Sequence, residues 1–172
     1  FARKLRRGKG FVENPDYLDA DLFARRFYEP ARDLLGGCLS GILFEQEYQR
    51  KQERETPQAF AGELDGFFGA CPADPDYHVE IRTEAYLGPP LFELLDRRGI
   101  GQVLSHWTWL PPLRHQLRKA GGRFFNRGGQ CVVRLMTPRA VRYEEAYRQA
   151  FPFDRLVEGM LSPGMIEEAV EI

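Results

Sequence analysis

The sequence predicts an α/β fold in which apolar strands alternate with amphipathic helices along one chain. Strands are expected to begin near residues 39, 77, 100 and 130, and a segment with helical periodicity follows each of them. One strand and one helix in roughly 30 residues is typical of parallel sheets. An open doubly wound sheet and a (βα) barrel of the triosephosphate isomerase (TIM) type both satisfy this pattern.

The first half of the chain predicts two helices with one strand between them. Apolar residues recur at helical spacing from Asn14 to Leu34, and the Gly36-Gly37 pair is expected to end this helix. A short apolar run at residues 39–45 predicts the first strand, and the charged residues 46–55 predict a long loop. Pro57 is expected to begin the second helix.

The second half repeats the strand and helix three times, with proline at helix starts and glycine at helix ends. The predicted strands and helices are, in order, residues 77–82, 89–98, 100–105, 111–120, 130–135 and 143–150. No Gly-x-Gly-x-x-Gly or Gly-x-x-x-x-Gly-Lys-Ser/Thr motif follows any of the strands. This weakens the prediction of a dinucleotide-binding open sheet and leaves other open sheets possible.

Composition limits the class of protein. The 172 residues carry 24 basic and 25 acidic side chains, for a net charge of −1, which argues against a generally basic nucleic-acid or membrane-surface protein. No window approaches 18 uninterrupted apolar residues, so no membrane span or membrane partner is expected. The three cysteines, Cys38, Cys71 and Cys131, are widely spaced and odd in number, which favours a reducing, cytoplasmic location.

The two ends of the sequence lead us to expect part of a longer polypeptide. The chain starts at Phe1, and it stops inside an amphipathic helical pattern at residues 165–172. A whole TIM-type barrel needs roughly 250 residues and eight strand–helix units, of which this chain can supply about five. We therefore predict one domain over residues 1–172, an incomplete barrel that is truncated at both ends.

Polar residues cluster where the predicted strands end, and in such barrels the active face lies at the carboxyl ends of the strands. His78, Glu80 and Arg82 alternate along one strand, so they are expected to share its inner face. Glu80 and Arg82 then lie about 7 Å apart along the strand. Arg82 is a candidate to clamp an oxyanion or a sugar oxygen, and Glu80 a candidate acid–base group. A structural ion pair is the alternative, and His78 is expected to be structural.

The neighbouring strands supply the other candidates. Glu45 ends the first strand and is a second acid–base candidate, although it also begins a charged loop. His106 could act as an acid or base near neutral pH, and Trp107 could stack on a sugar ring or a nucleobase, whereas Trp109 is expected to fill space between strand and helix. Arg134 adds a second cation for an anionic ligand.

Other chemistries have less support. Glu45, Glu80 and His106 come from three strands and could hold a divalent metal, but no metal-binding motif is present, so no cofactor or metal site is predicted. No Gly-x-Ser-x-Gly motif supports a nucleophile. The basic segment at residues 3–9 could contact phosphates, although such loops are more often only solvated. The oligomeric state cannot be inferred.

Several of these segments together resemble the YecE-like family, also called domain of unknown function 72. The residues that carry the resemblance are Asn14-Pro15, Tyr17-Leu18-Asp19-Ala20, Gly41-Ile42-Leu43-Phe44-Glu45, Val79-Glu80-Ile81-Arg82, Ser105-His106-Trp107-Thr108, Pro111, Gln116, Val133-Arg134-Leu135 and Tyr143. The resemblance implies a TIM-like barrel that here lacks its first strands and its final strand. It also implies a departure at His106, where relatives usually carry asparagine or aspartate, and a likeness to sugar isomerases in fold alone.

We therefore predict an enzyme-like barrel whose mouth binds a small polar ligand, anionic or sugar-like. Arg82, Arg134 and Trp107 are the predicted binding residues, and Glu80, Glu45 and His106 are the predicted acid–base residues. The reaction would resemble sugar isomerisation or the hydrolysis of a phosphate ester. Two alternatives remain, which are a nucleotide or nucleic-acid binding module without turnover and a structural or partner-binding protein.

Overall fold

The fold consists of a short antiparallel hairpin and a four-stranded parallel sheet that alternates with helices. A computed structural model of the chain describes residues 2–73, 76–138 and 140–172. The strands are β1 (Lys4–Arg7), β2 (Gly10–Glu13), β3 (Ile42–Glu45), β4 (Tyr77–Glu80), β5 (Gly101–His106) and β6 (Val132–Leu135). The helices are α1 (Ala20–Phe23), α2 (Glu29–Leu35), α3 (Pro57–Ala70), α4 (Pro89–Arg98), α5 (Leu113–Lys119), α6 (Tyr143–Ala150) and α7 (Pro163–Val170). A π-helical segment, Ala24–Tyr28, joins α1 to α2.

The parallel sheet has the strand order β3-β4-β5-β6 and is curled into a half-barrel. Sequential neighbours pair in parallel and a helix lies between each pair of strands, which confirms the predicted α/β alternation and is consistent with a partial βα barrel. None of the described helices combines the length and the apolar composition that a membrane crossing requires.

The apolar core lies between the sheet and its helices. Val79 and Ile81 face this layer and are at most 2% exposed, as are Leu64 of α3 and Leu95 of α4. Phe44 contacts a set of aromatic rings at centroid distances of 5.0 to 5.6 Å, namely Phe23, Phe67, Phe68 and Tyr77. Because aromatic rings bury large apolar areas, this cluster fixes β3 and β4 against α1 and α3.

The hairpin was not predicted from the sequence. Each of its strands has four residues, and all of these residues are exposed. Their sequences do not show the alternation of apolar and polar residues by which a half-buried strand is recognised. Gly8 turns the chain with a φ of 60°, a conformation that glycine adopts without strain. Arg3 attaches this region to the rest of the chain through ion pairs with Glu63 of α3 and with Glu55, the latter at 2.8 Å.

Of the element boundaries that differ from the prediction, two have an identifiable reason in the hydrogen bonds. Helix α1 begins at Ala20 instead of Asn14 because the Asp19 carboxylate accepts a hydrogen bond from the backbone of Leu22 at 2.8 Å, which caps the helix. Strand β4 ends at Glu80 and does not include Arg82. The Arg82 backbone N–H donates instead to the side-chain oxygen of Gln46, at 3.0 Å.

The strand register places polar side chains in layers on the inner face of the half-barrel. Glu45 pairs with Glu80 and Glu80 with Val103, while Ser105 pairs with Arg134. Paired residues in parallel strands point to the same side of the sheet, and so do residues two positions apart. Glu45, Glu80, Ser105 and Arg134 therefore all project into the half-barrel, as the sequence predicted for the three charged residues.

His78 lies one layer below Glu80 on the inner face. It fills the space beside Gly101 of β5, which has no side chain. It pairs with Gly101 in the register, and its side chain is buried. A Cβ atom at Gly101 would overlap the ring at Nδ1 and lie 2.7 Å from Cε1. The position of His78 at the base of the half-barrel agrees with the structural role expected for it.

We predict that Gly101→Ala destabilises the fold, because the added methyl group must displace a buried imidazole. Overpacking of this kind typically costs about 1 to 3 kcal/mol. Urea denaturation of the two proteins would measure the change in the free energy of unfolding.

Gly62→Ala is the matched control. Gly62 lies in α3, where no heavy atom lies within 4 Å of an added Cβ, so the same change should be neutral or stabilising by up to about 1 kcal/mol. Equal stability of Gly101→Ala and the original protein would contradict the packing described here.

Candidate functional site

Two glutamates and two arginines form a charge cluster at the carboxyl ends of the strands. Arg82 pairs with Glu45 at 2.7 Å and lies 3.9 Å from Glu80. Arg134 pairs with Glu45 at 3.0 Å and also with Glu80. We refer to Glu45, Glu80, Arg82 and Arg134 as the charge cluster. It brings together four of the six residues predicted as functional from the sequence.

Glu80 is the closed centre of this cluster. Its side chain has no exposed surface. One carboxylate oxygen accepts a hydrogen bond from the Ser105 hydroxyl at 2.6 Å, and the other accepts from Arg134. A buried carboxylate needs such partners because burial without them costs several kcal/mol. Glu80 therefore has little freedom to exchange protons with a ligand.

Glu45 and Arg134 are the open members of the cluster. The Glu45 side chain is 43% exposed and that of Arg134 is 35% exposed. Burial by itself lowers the pKa of Arg134, but its hydrogen bond to Glu45 and the charge of Glu80 outweigh this, so the pKa lies above its usual range. The guanidinium therefore stays charged at neutral pH.

Gln46 orients Arg82, and this residue was not identified from the sequence. Its side-chain oxygen accepts hydrogen bonds from the backbone N–H groups of Arg82 and Thr83, at 3.0 and 3.1 Å. The Gln46 side chain is buried, and its amide donates to the Thr83 hydroxyl at 3.1 Å. The position of Gln46, directly after the last residue of a strand, could have indicated its role. It was instead assigned to the charged loop that follows.

Three aromatic rings stand beside the cluster and form what we call the aromatic wall, which consists of Tyr48, Trp107 and Trp109. The ring centroids of Trp107 and Trp109 lie 4.6 Å apart, and those of Tyr48 and Trp109 lie 4.9 Å apart. The Arg82 guanidinium lies over the Trp107 ring, 5.1 Å from its centroid, in a cation–π arrangement. The wall thus connects directly to the charge cluster.

The two tryptophans differ in exposure, and Trp109 departs from its predicted position. Trp107 is only 4% exposed, because Arg82 and Trp109 cover it. Trp109 is 45% exposed, although the sequence led us to expect a side chain that fills space between strand and helix. Trp109 is therefore the tryptophan with the larger surface available to a ligand.

A cleft of about 490 Å³ opens where the cluster meets the wall, and we call it the mouth cleft. Its lining residues are Ala2, Glu45, Glu47, Tyr48, Arg82, Trp107, Trp109 and Tyr143. A volume of this size is typical of small-molecule sites. The structure therefore places Glu45, Arg82 and Trp107 at one cleft, and Arg134 reaches it through its contact with Glu45.

His106 is not brought to this cleft. It follows Ser105 in β5, so its side chain points to the opposite face of the sheet, where it is buried. Its Nδ1 lies 3.1 Å from the carbonyl oxygen of Thr137, and its Nε2 lies 3.9 Å from a carboxylate oxygen of Glu168 in α7. The acid–base role predicted for His106 thus has no geometric link to the other candidates.

The metal site considered from the sequence has no matching geometry. Over the described ranges, no three histidine, cysteine, aspartate or glutamate side chains come together in a way that could hold a metal ion. Glu45 and Glu80 are close to each other, but arginines occupy the space between them, and His106 lies across the sheet.

Comparisons with known proteins identify no relative of this chain. No family model matches the sequence, and neither a curated protein nor a solved structure matches it. The resemblance to the YecE-like family therefore stays a proposal that rests on the residues given above. Any functional conclusion must come from the geometry of the site itself.

We predict that Glu80→Gln destabilises the protein by about 2 kcal/mol, because Arg134 loses its buried anion and keeps only the partly exposed Glu45. The substitution preserves side-chain size, so the loss reports charge and not a cavity. Chemical denaturation would measure it.

Glu93→Gln supplies the control, since Glu93 is exposed on α4 and should tolerate the change within about 0.5 kcal/mol. A Glu80→Gln protein as stable as the Glu93→Gln protein would show that the buried ion pair contributes nothing.

Proposed function

We propose that the mouth cleft binds a small sugar-like ligand and that Glu45 exchanges a proton with it. The observation that carries the proposal is the meeting of Glu45, Arg82 and the aromatic wall at one cleft. Aromatic faces stack on the C–H surface of sugar rings, while carboxylate and guanidinium groups hydrogen-bond to hydroxyl groups. The cleft offers both kinds of group within one volume of suitable size.

A neutral polyol fits the charges of the mouth cleft better than an anion does. Arg82 already pairs with Glu45 at 2.7 Å, so an anionic ligand would have to compete with a carboxylate for it. Glu47 also lines the cleft and adds a second negative charge. Hydroxyl groups can donate to these carboxylates and accept from Arg82 without separating the ion pair.

Glu45 is the better candidate for proton exchange. It lines the cleft and is 43% exposed, whereas Glu80 is fully buried between Ser105 and Arg134. A general base must reach the proton that it abstracts, and of the two glutamates in the charge cluster Glu45 has this access. We therefore assign proton transfer to Glu45, and we assign to Glu80 the task of holding Arg134.

The unfilled hydrogen-bonding capacity beside the cleft also supports a ligand. Arg82 Nε and Trp107 Nε1 are buried, and neither has a hydrogen-bond partner among the described residues. Buried donors are nearly always paired in folded proteins. Two unpaired donors on adjoining side chains are therefore consistent with a site that a polar ligand or solvent completes.

A structural role is the second candidate, because the four charges of the cluster largely neutralise one another. Nucleic-acid binding has weaker support. Such binding would favour a continuous positive surface from the basic hairpin to the strand ends. Instead, Arg3 pairs with Glu55 and Glu63, and Arg82 pairs with Glu45.

Tryptophan fluorescence provides a selective test of ligand binding, because both tryptophans of the protein line the mouth cleft. We expect titration with a panel of neutral aldoses and ketoses to change the emission. Tyr143→Ala should weaken the affinity about fivefold, since aromatic contacts are worth about 1 kcal/mol. Tyr147→Ala is the control, because Tyr147 is exposed to a similar extent on the same helix but does not line the cleft.

Proton exchange is measured on the ligand that this panel identifies. Incubated in heavy water, the protein should introduce deuterium at the carbon next to the sugar carbonyl, as nuclear magnetic resonance would show. Glu45→Gln should abolish exchange while the fold is retained. If no sugar changes the fluorescence and Arg82→Ala lowers only stability, the structural role replaces the proposal.

A further inference from the structure

A second cleft of about 500 Å³ adjoins the mouth cleft at the aromatic wall. Both clefts are lined by Tyr48 and Trp109, so the same two rings border each of them. The remaining lining residues of this second cleft, which we call the side cleft, are Arg54, Glu84, Ala85, Leu87 and Lys119. It thus contains two cations and one carboxylate, whereas the mouth cleft contains two carboxylates and Arg82.

Arg54 is the cation that distinguishes the side cleft. Its side chain is half-buried, and its Nε donates to the carbonyl oxygen of Gln49 at 2.9 Å, which fixes the guanidinium in place. In the part of the chain that the structure describes, no carboxylate lies within 4.0 Å of it. Arg82 and Arg134, by contrast, are each held by carboxylates. A half-buried, oriented guanidinium without a counter-ion is suited to bind an oxyanion.

Lys119 adds a second positive charge with a weak partner. Its Nζ lies 3.4 Å from a Glu84 carboxylate oxygen, and these side chains are 40% and 53% exposed. Exposed ion pairs of this kind contribute little and separate readily. Lys119 can therefore turn towards an anion in the side cleft, where Arg54 already lies.

We propose that the side cleft binds an oxyanion, phosphate or carboxylate, which is carried by the sugar-like ligand of the mouth cleft. This inference rests on the proposed function, because it assigns the substrate class of that site as sugar phosphates or sugar acids. In this arrangement the sugar ring lies in the mouth cleft against Trp109. The oxyanion lies in the side cleft, on the other side of the aromatic wall, and binds Arg54. The anionic specificity predicted for Arg82 and Arg134 is thereby transferred to Arg54, which has no carboxylate partner among the described residues, and to Lys119, whose contact with Glu84 is exposed and weak.

The test compares a neutral sugar with its phosphate ester and its uronic acid, and it includes inorganic phosphate alone. Fluorescence is recorded in two single-tryptophan proteins. Trp109→Phe retains Trp107, which lines only the mouth cleft, and Trp107→Phe retains Trp109, which lines both. Inorganic phosphate should change the emission of Trp109 and leave that of Trp107 unchanged.

Charge removal tests the assignment of residues. Arg54→Gln removes the cation but can still donate to the Gln49 carbonyl, so the local fold is expected to persist. Arg54→Gln and Lys119→Ala should each weaken binding of the anionic sugars about fivefold, and together more than tenfold. Affinity for the neutral sugar should stay within twofold. Arg118→Ala, which removes an exposed charge outside both clefts, should change neither affinity.

The outcomes separate the two proposals. The inference is supported if the phosphate ester or the uronic acid binds more tightly than the neutral sugar and if Arg54→Gln removes this difference. The ligand with the larger difference carries the preferred oxyanion. Phosphate binding that depends on Arg54, without any response to neutral sugars, supports the oxyanion site and removes the sugar site. Equal affinity for neutral and anionic sugars, or an equal loss with Arg118→Ala, overturns the inference.

Discussion

The pairing of Glu80 with Arg134 is the interaction on which the remaining features depend. A carboxylate with no exposed surface is tolerated only when cations and hydrogen-bond donors replace the lost water. Arg134 supplies the cation from β6 and Ser105 supplies the hydroxyl from β5. The same guanidinium reaches Glu45 of β3, so one side chain connects the two outer strands of the sheet. This contact across the inner face is possible only because the sheet is curled.

The charge cluster also explains why the mouth cleft has its present chemistry. With Arg134 committed to Glu80 and Glu45, and Arg82 placed over Trp107, the charges nearest the strand ends are largely used within the fold. The loop after β3 adds Tyr48 to the aromatic wall, and hydrogen bonds hold this loop from the Gln49 backbone to the Thr83 hydroxyl, at 3.0 Å, and between Gln49 and the Tyr86 hydroxyl. The loop places Tyr48 beside Trp109. The result is a cleft that combines stacking rings with the carboxylates of Glu45 and Glu47, next to a side cleft in which Arg54 has no carboxylate partner among the described residues.

Much of this arrangement was accessible from the sequence because strand alternation and parallel pairing are strong constraints. Glu45, Glu80 and Arg134 lie on the inner face as predicted, since side chains alternate along a strand and parallel neighbours meet at one end. Alternation along β5 also places His106 on the outer face, because its neighbour Ser105 points inward. The prediction of a shared site overlooked this consequence for His106. The exposed hairpin had no apolar pattern from which it could be predicted. The partners of Arg54, Gln46 and Trp109 depend on loop conformation, which sequence periodicity does not determine.

A double-mutant cycle between Glu45 and Arg134 tests the central claim most directly, because these residues belong to opposite edges of the sheet and meet only if the half-barrel closes over its charges. The free energies of unfolding of Glu45→Gln, Arg134→Gln and the double variant would be measured in urea. Our account predicts a coupling free energy of about 1 kcal/mol, since the two groups touch within one network. Effects of the two substitutions that simply add, to within about 0.3 kcal/mol, would show that the edges of the sheet are not joined in this way.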